Sequence, residues 1–299
     1  MNTSIIIPNW NGVRLLEKNL PSVIAAKKHK RNNILEIIVV DDASTDGSYE
    51  YLRKHFKKSV RIIHHKTNRG FAEAVNTGAR HAKGTLICLL NTDVVPTERF
   101  LETVTKYFES PKQFAVVLHE KGNGPATGRF KNGYLAHSGS PESQTAKPSL
   151  WASGGSAVFS RKLWWDLGGL DAELLKPFYW EDVDLGYRAW KRGLHIVWEP
   201  KALVSHEHEG TINTNAFQKT YMNQMKERNE LLFLWKNITS TKMWTRHIQG
   251  VLKRLLRHPG YIRIVLLALK KREIVKRKRM KEMKETTVSD EAVFAMFNK

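Results

Sequence analysis

Three carboxylates fall within four positions in Tyr179-Trp180-Glu181-Asp182-Val183-Asp184-Leu185, with Tyr187 and Arg188 following at helical spacing. Like charges this close repel, so a purely structural explanation needs three separate partners. Capping at a helix start accounts cheaply for one or two of them. A carboxylate in a pocket with an aromatic wall, here Trp180, suits a general base acting on an acceptor hydroxyl, where position and a moderately raised pKa matter more than intrinsic strength.

Two further acidic clusters close apolar runs. Asp41-Asp42 follows Ile37 to Val40, and Asn91-Thr92-Asp93 follows Leu86 to Leu90. Desolvation penalises carboxylates at the end of a buried strand unless something cationic or hydrogen-donating arrives. A turn or a helix cap explains one such pair; two acidic strand ends on one sheet edge favour a nucleotide and its divalent ion. Asn68-Arg69-Gly70-Phe71-Ala72 places a glycine just before a helix, where free N–H groups and the positive dipole end suit a phosphate or a sugar hydroxyl. An ordinary loop-to-helix cap is the plain alternative. His206 follows another apolar run and is placed to complete an oxygen-rich site compatible with Mg2+ or Mn2+, although a histidine after a strand is more often surface or packing. One cysteine and no closely paired histidine-carboxylate helix motif count against zinc. Neither a G-x-G-x-x-G fingerprint nor a G-x-x-x-x-G-K-[ST] loop is present, which counts against a dehydrogenase or a P-loop ATPase.

The elements that must position these groups alternate in the N-terminal half. Ser4 to Pro8, Leu35 to Val40, Val60 to His64 and Leu86 to Leu90 read as strands; Leu15 to Lys27, a segment opened by Asp46-Gly47-Ser48, and Phe71 to Ala82 read as helices. Such alternation predicts βαβ units around a parallel sheet, with ligands outside the carboxyl ends of the strands. Residues 122–148, rich in Gly, Ser, Pro, Asn and Lys, read as a long surface loop or irregular hairpin. A short helix is expected over Arg161 to Leu167 and another over Asp182 to Arg192, closed by Gly193. Ile196 to Pro200 and Ala202 to Ser205 read as short strands, and the chain turns helical after Thr211.

The 299 residues, 41% of them hydrophobic, suffice for one large core plus an appendage. Cys88 lies in an apolar run as a packed thiol, which suits a reducing compartment. The first ten residues read straight into a strand, and no run approaches the roughly 18 apolar residues of a spanning helix. A cytoplasmic protein is expected. The net charge of +20 is concentrated in the tail: between Lys242 and Lys284 there are fifteen Lys and Arg against Glu273 and Glu282. Met243 to Leu256 and Tyr261 to Leu269 interleave apolar and basic residues, a pattern that can lie on the inner face of an anionic membrane with Trp244, Leu252, Leu255 and Tyr261 inward, or pack on the main domain as a solvated basic helix. Such a charge also suits a nucleic-acid binder, but no RNA or DNA module appears and the basic run lies outside the motif-bearing region, so no nucleic acid is expected.

Taken in order, Ile7-Pro8-Asn9-Trp10-Asn11-Gly12, Val40 to Ser48, Asn68 to Ala72, Asn91 to Asp93, Gly154-Gly155, Gly169-Leu170-Asp171 and Glu181 to Leu185 resemble the family-two nucleotide-sugar glycosyltransferases of GT-A fold, particularly the rhamnosyltransferase-like members, over roughly residues 3–235. The resemblance implies an α/β GT-A catalytic domain over residues 1–235, with a nucleotide-sugar half (1–120) and an acceptor and catalytic-base half (121–235), followed by a basic helical tail (236–299). It implies an inverting, metal-dependent transferase. Pro8, Asn9, Asn11, Asp41 and Asp42 would hold the donor's nucleotide, with Asn68, Gly70, Asn91 and Thr92 nearby. Asp93 matches the last acid of the family's Asp-X-Asp motif, whose first acid is replaced here by Asn91, and His206 would join it on Mg2+ or Mn2+. Asp182 matches the catalytic base, Glu181 would orient a hydroxyl, and Trp151, Gly154, Gly155 and Trp180 would line the acceptor side. The implied donor is dTDP-rhamnose or a UDP-hexose, and the implied acceptor a glycan or a lipid-linked glycan. A catalytically inactive sugar-nucleotide-binding relative is the alternative, against which Glu181, Asp182 and Asp93 argue.

Overall fold

The computed structural model describes residues 1–206 and 219–297. Strands β1 (Thr3–Asn9), β2 (Ile34–Asp41), β3 (Arg61–His64) and β4 (Leu86–Leu90) alternate with α1 (Val13–Lys28), α2 (Ser48–His55) and α3 (Phe71–His81). The four strands run parallel in the order β3-β2-β1-β4. Their β-branched residues face alternately to the two sides, as a period of two requires. Ile5, Ile7, Val39 and Cys88 enter the core on the α1 side, while Ile6, Ile38, Val40 and Leu89 enter the one on the α3 side. Helix α3 approaches β1 closely because Gly78 lies over Ile6; a Cβ there would meet Ile6 Cγ2 at 2.4 Å.

The sheet continues through β5 (Val94–Pro96), β6 (Gln113–Glu120), β9 (Lys147–Pro148), β10 (Ser156–Ser160) and β11 (His195–His206). Beyond β4 the order is β10-β6-β11-β5, with β9 also on β11. Here β10 is antiparallel to both β4 and β6, whereas β6 and β11 run parallel. The two short strands expected around Pro200 are one strand, β11, whose register on β6 shifts between Glu199 and Leu203. Of the two readings of residues 122–148, the hairpin holds: β7 (Ala126–Lys131) and β8 (Tyr134–Gly139) pair with each other as a separate two-stranded sheet. Helices α4 (Arg161–Asp166), α5 (Ala172–Leu175) and α6 (Glu181–Lys191) precede β11, and α7 (Lys219–Asn237), α8 (Thr241–Arg257), α9 (Ile262–Leu269), α10 (Arg272–Glu285) and α11 (Asp290–Ala295) follow it. Among the described residues no helix is long and apolar enough to cross a membrane.

The expected boundary between residues 235 and 236 falls inside α7. The basic segment beyond it packs on the rest through a third cluster, in which Leu174 and Leu175 of α5 meet Leu231 and Leu232 of α7, Ile264 and Ala268 of α9 and Val275 of α10. Two buried ionic clusters reinforce this. Lys236 Nζ lies 2.8 Å from both Asp184 and Asp171; Asp184 also receives Arg188 Nε at 2.8 Å and Asn237 Nδ2 at 2.7 Å, and Asp171 receives Lys278 Nζ at 2.8 Å. Asp290 of α11 receives the Tyr187 hydroxyl (2.6 Å), Lys191 Nζ, and the backbone N–H groups of Thr239 (2.7 Å) and Ser240 (2.6 Å).

Burial alone would raise the carboxyls of Asp171, Asp184 and Asp290, but Lys236 beside the first two and Lys191 beside the third hold all three below the usual carboxylate range. Groups of this sign stabilise the fold above their unfolded pKa of about 4 and lose that contribution as pH falls through their lower folded values. Glu181 and Glu230, raised by burial to about 8 and about 7, titrate above this window. The urea midpoint is therefore expected to fall steeply between about pH 4 and pH 2. Lys236→Met, which strips a cation from two buried carboxylates, is expected to cost about 3–5 kcal/mol in urea denaturation at neutral pH.

Candidate active site

The carboxyl ends of β1 and β2 are stitched together before any ligand is considered. Asp41 accepts hydrogen bonds from Asn9 Nδ2 (2.8 Å) and the Ser44 hydroxyl (2.6 Å) and pairs with His64 Nδ1 (2.9 Å). Asn11, in the left-handed region at φ 51°, accepts from the Thr45 N–H at 2.8 Å, and its own N–H donates to Ser44 Oγ at 2.9 Å. Asp42 receives the N–H groups of Arg69 (2.9 Å) and Gly70 (2.7 Å) together with His65 Nδ1 (2.7 Å). The hydrogen donors that these strand-end carboxylates require thus come from the protein itself. Asp42 draws Gly70 against the strand ends, where its φ of +87° starts α3. Pro8 is half-buried, Asn9, Asp41 and Asp42 are buried, and Asn68 is exposed.

The neighbouring strands assemble a second group. The Asn91 N–H donates to the Gly155 carbonyl at 2.9 Å, and the Thr92 carbonyl accepts from Asn19 Nδ2 of α1 at 2.9 Å. Asp93, buried just past β4, lies 3.3 Å from His206 Nε2 at the end of β11. His206 Nδ1 lies 3.0 Å from Glu120 at the end of β6, and Glu120 also accepts from the Ser156 hydroxyl at the start of β10. Four adjacent strands, β4, β10, β6 and β11, therefore deliver Asp93, Ser156, Glu120 and His206 to one sheet edge. Burial works against the His206 imidazolium, but the hydrogen bonds and charges of Asp93 and Glu120 hold its pKa up to about 10. Two carboxylates and a neutral imidazole are donors that Mg2+ and Mn2+ accept, so an ion bound here would have to displace the imidazolium proton. Among the described residues, however, no three such side chains converge as a metal-binding group. Sequence reasoning did not single out Glu120, although an acid follows the apolar run Phe114 to Leu118 within two residues, much as acids follow the apolar runs of β2 and β4.

The start of α6 forms the opposite wall. Tyr179 (φ 75°) and Trp180 (φ 79°) both occupy the left-handed region, which costs bulky residues energy and persists only where the surroundings over-determine it. Asn229 of α7 supplies that constraint, its amide meeting the carbonyls of Leu175 (2.5 Å), Phe178 (2.9 Å) and Tyr179 (3.0 Å). The turn so held points the three acids of α6 in different directions. Asp184 goes to Lys236 and Arg188; Glu181 is buried, its carboxyl pushed up to about 8 by that burial, with Oε1 unpaired among the described residues. Asp182 is half-buried and raised above the usual carboxylate range by desolvation, its Oδ1 accepting the Val183 N–H at 2.8 Å. Gly154 brings the backbone close: a Cβ there would lie 3.2 Å from the Phe71 ring and 4.0 Å from Asp182 Cβ. A Cβ on Gly155 would meet the Asn91 amide at 2.4 Å. Trp151 and Trp180 each stand edge-on to His137, at 5.1 Å between ring centroids. His137, carried by β8, faces the Asp182 charge, and burial lowers its pKa despite that charge.

The fold is that of the GT-A glycosyltransferases, and the comparisons agree. The description "Glycosyl transferase family 2" matches residues 4–168, and the chain belongs to that family. It is 31% identical over 222 residues to a pre-mycofactocin glycosyltransferase of Mycobacterium tuberculosis, a match covering 69% of this chain and 43% of that protein. A validoxylamine A glucosyltransferase of Streptomyces hygroscopicus subsp. jinggangensis is 24% identical over 247 residues, covering 71% and 58%. The chain thus spans about half the length of these relatives. Among solved structures, GalNAc-T7 with UDP, GalNAc and Mn2+ superposes with a TM-score of 0.63 at 16% identity, over 87% of this chain and 57% of that one. A mannosyltransferase from Pyrobaculum calidifontis in complex with GDP-Man and Mn2+ gives 0.57 at 16% identity, over 99% and 85%.

Because the two N–H groups of Asn229 are shared among three loop carbonyls, Asn229→Ala is expected to destabilise the protein by about 2–4 kcal/mol. Asn229→Asp, which cannot donate, should lose a similar amount in the same urea titration.

Proposed function

We propose that this chain transfers a sugar from a nucleoside diphosphate donor to an acceptor hydroxyl in one inverting displacement, with Asp182 as general base. The observation that carries this reading is the half-buried Asp182 at the start of α6, raised by desolvation and set beside Gly154, whose neighbour Gly155 accepts from the Asn91 N–H two residues before Asp93. Asp182 takes the acceptor proton as the oxygen attacks C1, and the nucleoside diphosphate leaves from the opposite face. Asp93 and His206, with Glu120 behind the imidazole, would hold Mg2+ or Mn2+. That ion, when bound, offsets the charge growing on the diphosphate. Pro8, Asn9 and Asn11, fixed by the Asp41 and Asp42 networks, shape the nucleotide end, with Asn68, Gly70, Asn91 and Thr92 beside it. Trp151, Trp180, Gly155 and His137 line the acceptor side.

Glu181 has a different task from Asp182. With its pKa near 8 it is a neutral acid at pH 7, able to donate a hydrogen bond to a sugar or acceptor oxygen. The UDP and GalNAc bound by one structural neighbour and the GDP-Man bound by the other support the donor class. The rhamnosyltransferase-like motifs make dTDP-rhamnose the first donor to try, followed by UDP-hexoses, with a glycan or lipid-linked glycan as acceptor.

The test is binding and slow hydrolysis across a panel of nucleotide sugars with Mg2+ or Mn2+, then with chelator. One donor selected in a metal-dependent way is expected; binding of none would sink the reading. Asp182→Asn is expected to lower turnover by at least about a hundredfold with donor affinity nearly unchanged. The pH profile should rise through the elevated Asp182 pKa and fall again above about 8 as Glu181 ionises. Glu181→Gln should flatten that alkaline limb, and an unchanged limb would remove Glu181 from the role.

A further inference from the structure

The inward set expected for the tail changes once the helices are seen in place. Tyr261 is buried in the third core cluster, and Leu255 packs against it. Of that set Leu252 does face water, 55% exposed, and it is joined by Ile248 and Leu256 of α8 at 41% and 85%, and by Ile262, Leu266 and Leu269 of α9, exposed as well. The first three recur at i, i+4 and i+8, one continuous stripe along α8.

A second row, next round the same helix, is basic. Arg246, Lys253, Arg257 and His258 line a groove of about 550 Å³ between α8 and the β7–β8 turn at Asn132-Gly133, a groove with no acidic lining residue. Arg254, also on the groove, is engaged by Glu227 at 2.6 Å and by the Tyr261 ring. Arg246, Lys253 and Arg257 have no acidic partner among the described residues. An apolar stripe of large side chains beside a row of unpaired cations fits a surface that offers acyl chains and phosphates together. A nucleic acid would use the cations but give leucines this exposed nothing to bury against.

We infer that the outer face of α8 and α9 docks on an anionic phospholipid surface, with Ile248, Leu252 and Leu256 entering the acyl boundary and Arg246, Lys253 and Arg257 meeting headgroup phosphates. The docked helix is tied to the candidate active site. His247 Nδ1 meets the Gly133 carbonyl at 2.7 Å, and a Cβ on Gly250 would lie 2.4 Å from the Asn132 carbonyl, so α8 and the hairpin turn touch through their backbones. That hairpin carries His137 to the Trp151–Trp180 wall. The membrane surface would thereby be held at a fixed distance from the acceptor side.

The experiment is co-sedimentation of the full chain, without donor or metal, on vesicles of phosphatidylcholine alone and on vesicles containing about a third phosphatidylglycerol. Wild type is expected to pellet with the anionic vesicles only. The Leu252→Ser/Leu256→Ser and Arg246→Gln/Lys253→Gln/Arg257→Gln variants should each bind at least about tenfold more weakly, with thermal unfolding unchanged because these side chains sit at the surface. No pelleting, equal binding to neutral vesicles, or variants that bind as wild type would overturn the inference. So would release by millimolar inorganic phosphate at constant ionic strength, which marks a small-anion site, or duplex DNA bound as tightly by the serine variant as by wild type and more tightly than vesicles. Because no sugar nucleotide is present, failure here leaves the transferase reading standing, and failure of that reading leaves this one.

Discussion

The buried contact of Lys236 with Asp184 and Asp171 is the constraint from which the wall around α6 takes its shape. Two carboxylates and an ammonium out of water are tolerable only when geometry and further hydrogen bonds compensate them. Here Arg188, Asn237 and Lys278 complete the set, and Arg188 also reaches the carbonyls of Leu167 (2.5 Å) and Gly169 (2.8 Å). One cluster thereby joins α6, α7, α10 and the loop between α4 and α5. It also resolves the crowding of three acids at the start of α6: Asp184 is neutralised from below, which leaves Glu181 and Asp182 to be governed by desolvation. An ion-paired acid and two desolvated ones share a single helical turn because the cations reach only Asp184.

Strand ends were legible because their signal is local. An apolar run closed by Asp41-Asp42 or Asn91-Thr92-Asp93 announces both a buried strand and a polar edge, and β2 and β4 end at those positions. The α6 start was legible for the same reason. Partners distant in sequence were not. Nothing near His137 indicates that a hairpin outside the main sheet will bring it between Trp151 and Trp180, and nothing near Asn229 indicates the loop carbonyls some 50 residues earlier. The engagement of Asp42 by the Arg69 and Gly70 N–H groups depends likewise on how β2 and the α3 loop meet. In the tail, hydrophobic periodicity identified amphipathic helices, but which apolar residues face the core depends on where α5 and α7 lie. Tyr261 and Leu255 went inward for that reason, and Leu252 and Leu256 did not.

The candidate site divides labour between rigid and strained parts. The nucleotide side rests on parallel strands whose ends are cross-linked by Asn9, Asp41, Ser44 and Asn11. The acceptor side rests on the left-handed pair Tyr179–Trp180 and on a hairpin held by α8 and α11, where the Thr127 hydroxyl donates to the Phe297 carbonyl at 3.0 Å. On the proposed reading, donor recognition is built on the sheet, and acceptor recognition on elements whose positions the C-terminal helices set.

Asp290 gives this arrangement a temporal dimension. Lys191, at the end of the helix that begins with Glu181 and Asp182, is buried against a carboxylate 99 residues downstream. During vectorial synthesis the N-terminal strands can pair as they emerge, whereas α6 has a buried ammonium without its counter-charge until α11 has left the ribosome. The parallel strands can therefore take form on a growing chain well before the helix bearing Asp182 settles, so the two walls of the candidate site are completed at different times, the second only after α8 and α9 have been made.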